Sequence, residues 1–166
     1  MKSFLPLIDK VSEWSGKIFA FLILLATLLI TAEVIMRYAL NSPTIWSLQL
    51  TIYVCGITYV MGGAYALRYD AHIKVDVLYN QWSPRLKAIM DLVTSPLLYF
   101  GVGVMLWIGA EWTITAYLAG ETSGGMWSPL IWPIRVFIPL GSFLLILQAV
   151  AKSIRDFRKA REGGSA

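Results

Sequence analysis

Four long stretches of the chain contain no charged residue, and they constrain its fold more than any other feature of the sequence. A helix needs ~20 residues, each rising ~1.5 Å, to cross the ~30 Å hydrocarbon core of a membrane. The stretches are continuously apolar rather than alternating, which indicates helices and not the strands of a membrane barrel. They cover 18–32, 38–67, 92–110 and 136–151.

Turn residues divide these stretches into four spans. The stretch 38–67 is too long for one span, and Asn41-Ser42-Pro43 supplies a turn, with Ser42 as helix cap and Pro43 in the first helical position. Ser83-Pro84 starts the third span in the same way. We therefore predict an all-α integral membrane protein, a single four-helix membrane domain over 1–166. Its predicted spans are about 15–38, 44–67, 86–112 and 131–154.

The composition supports a membrane location. Only 14% of the 166 residues are charged and 57% are hydrophobic, whereas a soluble domain carries about 25% charged residues. With so few charges, the net charge of +4 is no sign of nucleic-acid binding. The single cysteine, Cys55, has no partner for an internal disulfide, and no Cys/His cluster suggests a metal. No catalytic set is recognisable, so we expect neither an enzyme nor a cofactor bound to this chain.

The basic residues predict how the chain sits in the membrane. Twelve of the fourteen Lys and Arg precede span one, separate spans two and three, or follow span four, and only Arg37 and Arg135 fall on the other side. By the positive-inside rule, both termini are cytoplasmic. Tryptophans near the last outer loop fit side chains at the lipid headgroups: Trp107, Trp112, Trp127 and Trp132.

Two structures are possible for the cytoplasmic segment at about 70–83. As a helix, it gathers apolar residues on one face and would lie as a short interfacial helix on the membrane surface. As an extended or irregular polar loop, it would be anchored only by its aromatic residues. The face in question carries Val75, Leu78, Tyr79 and Trp82. Beyond span four, about 156–166 is predicted to be a flexible basic tail.

Charged residues inside or beside the spans are candidates for function. Glu33 lies ~24 Å along the first span from Lys17, near the outer boundary, and Arg37 follows at the spacing of a same-face ion pair. The pair either closes the helix end or contacts a partner subunit. Glu111 closes span three on the outer side and could pair with Arg135, which should reach outward.

Asp91 in span three follows Lys87 by one turn and is expected to reach the membrane surface beside basic residues. With these assignments, no charge is expected near the bilayer midplane, where carriers and pores usually hold one. The residues alone therefore favour a packing or scaffold role.

Several motifs stand at the ends of the spans and in the segment between spans two and three. They are Glu33-Val34-Ile35-Met36-Arg37-Tyr38, Ser42-Pro43, Trp46, Met61-Gly62-Gly63-Ala64-Tyr65-Ala66-Leu67-Arg68, His72-Ile73-Lys74-Val75-Asp76-Val77-Leu78 and Ser83-Pro84-Arg85. Together they resemble the small membrane subunit of the tripartite ATP-independent periplasmic (TRAP) transporters, the DctQ-like family, over about 15–155. One departure is Gln49, where many relatives have Glu. Together with 72–78, it resembles the subgroup of mannitol, chloroaromatic and 2-oxo acid systems.

The resemblance implies a three-part transporter in the inner membrane of a bacterium. A periplasmic solute-binding protein delivers the solute, and a large multi-span permease subunit carries the sodium and substrate sites. The small subunit scaffolds the large one and helps dock the binding protein, for sodium-coupled uptake of an organic acid. The resemblance places Glu33, Arg37, Trp46 and Gln49 near the outer face. It places Arg68, His72 and Asp76 on the cytoplasmic side, where they position the interfacial segment.

Two other hypotheses remain open at this point. One is a free-standing, proton-coupled antiporter of the small multidrug type, which would use Glu33 as its proton-carrying acid and needs it near the midplane. The other is a membrane-embedded enzyme. The distance of Glu33 from Lys17 argues against the first, and the missing catalytic set argues against the second.

Overall fold

The computed structural model of the protein describes residues 4–69, 82 and 84–162, and the described part is helical apart from its loops. The bounds of its helices are α1 (Phe4–Tyr38), α2 (Ser47–Arg68), α3 (Pro84–Ala119), α4 (Trp132–Arg135) and α5 (Phe137–Glu162). Four segments within them are long and apolar enough to cross a membrane, which confirms the predicted fold class. The interfacial segment lies outside the described residues, apart from Trp82, and so do His72 and Asp76.

Three helices are longer than the spans predicted for them. α1 begins eleven residues before the predicted start at 15, and α3 continues to Ala119, seven residues beyond 112. α5 runs to Glu162, so most of the segment predicted as a flexible tail is helical. Hydropathy marks only the apolar part of a helix, and a helix can extend past the hydrocarbon on polar turns whose backbone is already hydrogen-bonded.

The start of α2 also differs from the prediction. The helix begins at Ser47 after Trp46, with no side-chain cap, rather than at Ser42-Pro43. Instead, the backbone N–H of Ser42 bonds the Met36 carbonyl, and Asn41 takes a positive φ of 48°. The residues predicted to start the second helix therefore end α1 instead, because a residue in the left-handed conformation closes a helix C-terminus.

The four long helices pack in the order α1, α2, α5, α3, and α1 and α3 share at most marginal contact in the described part of the chain. In the most apolar stretch of each helix, 33% of the residues are buried in α2 and 28% in α5, but only 11% in α1 and in α3. α2 and α5 therefore form the centre, and α1 and α3 flank it.

α2 and α5 approach each other closely at Gly141. A Cβ placed there would lie 2.5 Å from Val60 Cγ1 and 2.9 Å from the Val60 carbonyl oxygen. Small residues permit such backbone approach in membranes, where packing rather than exclusion of water holds helices together. Gly109 serves the contact between α3 and α5, because a Cβ there would lie 2.7 Å from Ile138 Cγ2.

The last span is broken once, between α4 and α5. Pro139 has no N–H to bond the Arg135 carbonyl four residues back, and its ring crowds that carbonyl. α4 accordingly ends at Arg135, and the Pro lies in the first turn of α5, where a missing N–H is tolerated.

Two ends of the helix array are used below. The terminal end holds the start of α1 and the end of α5, together with Arg68 and Pro84. The hairpin end holds the segment between α1 and α2 and the loop 120–131.

Replacement of Gly141 by Ala should separate α2 from α5 and lower the thermal unfolding midpoint in detergent. Overpacking of this kind costs ~1–3 kcal/mol. The control is Gly56→Ala on α2, where a Cβ meets nothing within 4 Å, so the gain in helix propensity of up to ~1 kcal/mol should leave its midpoint equal or higher. Equal midpoints for the two variants would contradict the close contact at Gly141.

Candidate functional site

Glu33 organises the hairpin end. Its carboxylate is 6% exposed and accepts hydrogen bonds from Arg37 Nη2 at 2.6 Å and Nε at 3.2 Å. It also accepts from the backbone N–H of Thr44 at 3.3 Å and from the Thr44 hydroxyl. The expected pair between Glu33 and Arg37 is therefore present, and Thr44 completes it. The three residues fasten the end of α1 to the segment that leads into α2.

The loop 120–131 is fastened by a second ion pair. Arg135 Nη1 and Nη2 donate to the two carboxylate oxygens of Glu121 at 2.6 and 2.9 Å. An isolated antiparallel bridge joins Thr122 to Leu130, and the Ile131 N–H bonds the Glu121 carbonyl at 3.0 Å. This ordered loop lies at the hairpin end and presents Met126, which is 87% exposed.

The predicted pair between Glu111 and Arg135 is wrong. α3 continues for eight residues past Glu111, so this carboxylate lies ~12 Å before the helix end. Arg135 reaches outward, as expected of a long side chain at the end of a span, and meets Glu121 in the loop instead. Glu111 is exposed on α3, and no described residue bonds its carboxylate.

Gln49 and Trp46 also lie at the hairpin end. Gln49 Nε2 donates to the Tyr53 hydroxyl at 2.6 Å, one turn along α2. Its Oε1 faces the loop after α3, since a Cβ on Gly125 would lie 3.5 Å away. Trp46 is 41% exposed. Gln49 therefore places the start of α2 beside the loop 120–131.

At the terminal end, Arg68 joins α2 to α1. Its Nη1 donates to the Asp9 carbonyl and to Glu13 Oε2, the latter at 2.7 Å. Glu13 also accepts from Lys17 at 2.6 Å, one turn further along α1. Arg68 is therefore a link between two helices.

A buried amide joins α1 to α5 at the same end. Gln148 is fully buried, and its Oε1 accepts from the Ser12 hydroxyl at 2.9 Å, while Nε2 donates to Asp9 Oδ1 at 3.0 Å. Arg155 Nη1 contacts both Asp9 carboxylate oxygens at 2.9 Å. Both functional groups of the amide are satisfied, which a buried polar side chain requires.

Lys152 joins α5 to α3. Its ammonium lies 2.5 Å from Asp91 Oδ2 and 3.1 Å from Asp156 Oδ2. Tyr99 and Ser153 share a hydrogen bond of 3.0 Å beside it. Asp91 thus bonds across a helix interface, which its spacing from Lys87 did not predict.

The residues predicted as a site do not converge. Glu33 and Arg37 lie together at the hairpin end, where Gln49 and Trp46 are near the loop that Arg135 fastens, and Arg68 lies at the terminal end. Within 4–69, 82 and 84–162, no three His, Cys, Asp or Glu side chains form a group that could hold a metal ion. The described ion pairs lie at the two ends. Some join two helices or a helix and a loop, and the others join residues one turn apart on the same helix.

Several residues of these networks were missed from the sequence. Asp9 and Glu13 were placed before the first span, and a polar residue in an apolar stretch, Gln148, was overlooked. The spacing of Glu13 to Lys17 and of Lys152 to Asp156 is that of same-face ion pairs, and it is the available sequence signal. Nothing in the sequence pairs Asp9 with Arg155, which is 146 positions away.

Four apolar spans with ion pairs at their two ends define a multi-pass membrane protein. Residues 26–159 match the family described as tripartite ATP-independent periplasmic transporters, DctQ component. The chain belongs to this family, which confirms the resemblance found in its motifs.

Two relatives agree with the family. The chain is 34% identical over 85 residues to a C4-dicarboxylate TRAP transporter small permease protein DctQ of Vibrio cholerae, over 51% of this chain and 35% of that protein. It is 27% identical over 101 residues to the protein of the same name from Rhodobacter capsulatus, over 61% of this chain and 44% of the relative. The matched segments thus span less than half the length of each relative.

Loss of the Gln148 hydrogen bonds should destabilise the fold in a way that depends on Ser12. Ser12→Ala and Gln148→Met each remove the bond between the two side chains, and each should lower the free energy of unfolding by roughly 1 kcal/mol. Their double variant should show a coupling of ~0.6 kcal/mol, and at most ~1.7 kcal/mol, which are the average and the maximum for hydrogen bonds between membrane helices. Unfolding in mixed detergent micelles measures all three variants.

Ser95→Ala is the control, because the Ser95 hydroxyl bonds the Leu92 carbonyl of its own helix. It should be additive with Gln148→Met. Additivity of Ser12→Ala with Gln148→Met would contradict a direct bond between α1 and α5.

Proposed function

We propose that the chain is the small permease subunit of a TRAP transporter, which scaffolds the large permease subunit and helps dock the periplasmic solute-binding protein. The assembled transporter takes up an organic acid, and this uptake is coupled to the entry of sodium ions. One observation carries the proposal: the described ion pairs are made within the chain at its two ends, while the flanks are apolar and exposed. Such a molecule offers packing surface rather than a solute site.

The flanking helices supply broad apolar surface, so that a large partner can pack on one flank while lipid covers the other. Phe21 and Leu28 on α1 are 70% and 68% exposed, and Leu97 and Trp107 on α3 are both 76% exposed. Lipid or another membrane helix covers such faces in a bilayer. A scaffold subunit needs broad apolar faces of this kind, held at a fixed separation by a central pair of helices.

The hairpin end supplies the surface for a soluble partner. The pair of Glu121 with Arg135 and the bridge between Thr122 and Leu130 order the loop 120–131. Met126 at its tip and Tyr38 at the end of α1 are 87% and 81% exposed. An ordered loop with exposed apolar tips suits docking, because little entropy is lost on contact.

The solute class follows from the relatives. Both are named as C4-dicarboxylate TRAP transporter small permeases, which supports a carboxylate as the transported solute. The sodium ions would bind the large subunit, and this chain would perform no covalent chemistry and hold no cofactor.

The alternative of a free-standing antiporter is less favoured. It requires Glu33 as a mobile proton carrier, but this carboxylate is occupied by Arg37 and Thr44 near the end of α1. Family membership points the same way.

Uptake of the solute should require all three components of the transporter. Liposomes holding this chain, the large permease subunit and the solute-binding protein should take up a labelled C4-dicarboxylate or 2-oxo acid under an inward sodium gradient. Omission of this chain should reduce uptake to the level of empty liposomes, because the large subunit loses its scaffold. The measurement is solute accumulated with and without sodium.

The matched control is the chain reconstituted alone under a pH gradient, which should transport nothing. Uptake that persists without the chain would refute the scaffold role. Transport by the chain alone that Glu33→Gln abolishes would instead establish the antiporter.

Both termini should be cytoplasmic in the inner membrane, with the hairpin end facing the periplasm. The support is the bias of Lys and Arg toward the terminal end, which positive-inside insertion retains. Green fluorescent protein fused after residue 166 should fluoresce in cells, and alkaline phosphatase fused there should be inactive. Alkaline phosphatase inserted between Gly124 and Gly125 should be active, and the reverse pattern would overturn the orientation.

A further inference from the structure

Among the described residues of the membrane-spanning segments, one carboxylate has no counterpart in the paired charges described above. Glu111 is exposed on α3, and within the described residues no side chain or backbone group bonds its carboxylate. Glu33, Glu13 and Asp91 each bond a basic side chain. A lone carboxylate on a membrane-spanning helix is unfavourable, so an unpaired one marks a functional contact.

Contacts between helices set the depth of Glu111. Gly109 packs on Ile138, three residues before Gly141, which packs on Val60 near the middle of α2. Measured along the helix axes through these contacts, Glu111 lies ~8 Å from the level of Val60 toward the hairpin end. It therefore lies ~12 Å from the level at which α2 begins. The same ~12 Å separates it from the end of α3 at Ala119. Glu111 therefore lies well away from both ends of the helix array, with its side chain exposed on the outer face of α3.

Thr115 provides a second observation on the same face. The other threonines in the four spans donate their hydroxyl to the carbonyl four residues back, as Thr113 does to Gly109 at 2.6 Å. The others are Thr27, Thr31, Thr51, Thr58 and Thr94. No described group bonds the hydroxyl of Thr115, which is exposed and one turn from Glu111. Two unpartnered polar groups thus share one face of α3.

The surface around them has the form of a groove. A shallow groove of about 450 Å³ is lined by both polar residues, by three larger apolar side chains and by two small residues. Gly103 and Ala110 are seven residues apart on one helix face and let another helix approach closely. The lining residues are Gly103, Leu106, Trp107, Ala110, Glu111, Ile114 and Thr115.

We propose that this α3 groove is the contact site for one transmembrane helix of the large permease subunit, and that this helix carries a basic side chain that pairs with Glu111. Charge complementarity selects this occupant. Lipid tails offer no donor, and a second copy would bring a second carboxylate to the same site. The assignment rests on the proposed function, because it takes the large subunit as the partner.

Photo-crosslinking tests which face meets the large subunit. Benzoylphenylalanine replaces Trp107 or Ile114 in the α3 groove and, as matched controls of similar exposure, Phe21 or Leu28 on α1. Crosslinks to the large subunit are expected from the α3 positions and not from the α1 positions, and Glu111→Ala should reduce them on the order of tenfold. Absence of such crosslinks, or crosslinks between two copies of this chain through α3, would overturn the proposal.

Copurification tests the charge. Glu111→Ala should lower the recovery of the large subunit on the order of tenfold, as expected for a lost hydrogen bond to a charged group. Glu111→Gln should lower it less, and Thr115→Val should lower it measurably, whereas Thr31→Val on α1 should have no effect. Unchanged recovery with Glu111→Ala would refute the pairing.

The outcomes separate this inference from the proposed function. If the wild-type chain recovers no large subunit, the scaffold role itself fails. If the wild type recovers it and the Glu111 variants do so equally, only the α3 groove is refuted. Each variant alone should match the wild type in helicity and unfolding midpoint, since the described chain makes no bond to this carboxylate.

Discussion

The contact between α2 and α5 at Gly141 supports the rest of the helix array. α1 and α3 have little contact with each other, so each is positioned chiefly through the helix it flanks. Inside a membrane, no hydrophobic effect drives helices together, and the backbone approach at Val60 replaces it with close packing. The polar bonds at the two ends then fix the register, because each is satisfied at only one relative height of two helices. Gln148 does this for α1 and α5, and Lys152 does it for α5 and α3.

The sequence predicted those parts of the structure that depend on local properties. Hydropathy found the four spans, and the spacing of Glu33 and Arg37 predicted their pair. The start of α2 was misjudged because Ser42-Pro43 suits a helix start, yet Asn41 and the bonds to Glu33 use that segment to close α1. Interactions between helices could not be predicted, because no local pattern tells which helices are neighbours. Arg135 therefore received the wrong partner, and Asp9 received none.

The arrangement of helices has consequences for a scaffold. A row of four helices has more lateral surface than a closed bundle, and here its exposed faces are mostly apolar. The charged side chains at the two ends pair with one another within the chain. They hold the row together without a contribution from a partner subunit. The same chain can thus be rigid across its width while its flanks stay available to lipid or to another subunit, which is the combination that the proposed role requires.

Glu33 and Glu111 carry the same chemical group but have different roles. Glu33 is satisfied within the chain by Arg37 and Thr44, so its contribution to stability is present as soon as the hairpin forms. Glu111 is left without a bond in the described structure. Insertion scales place the cost of a charged side chain such as Asp at roughly 2.5–3.5 kcal/mol at a helix centre, which is an upper value for Glu111. A chain on its own can reduce that cost by protonation or by drawing in water, but a basic side chain on a partner helix removes it and gains a hydrogen bond as well. The lone carboxylate therefore makes the assembled state more favourable relative to the free subunit, and it does so at a defined height on α3, which gives the contact a register as well as an affinity.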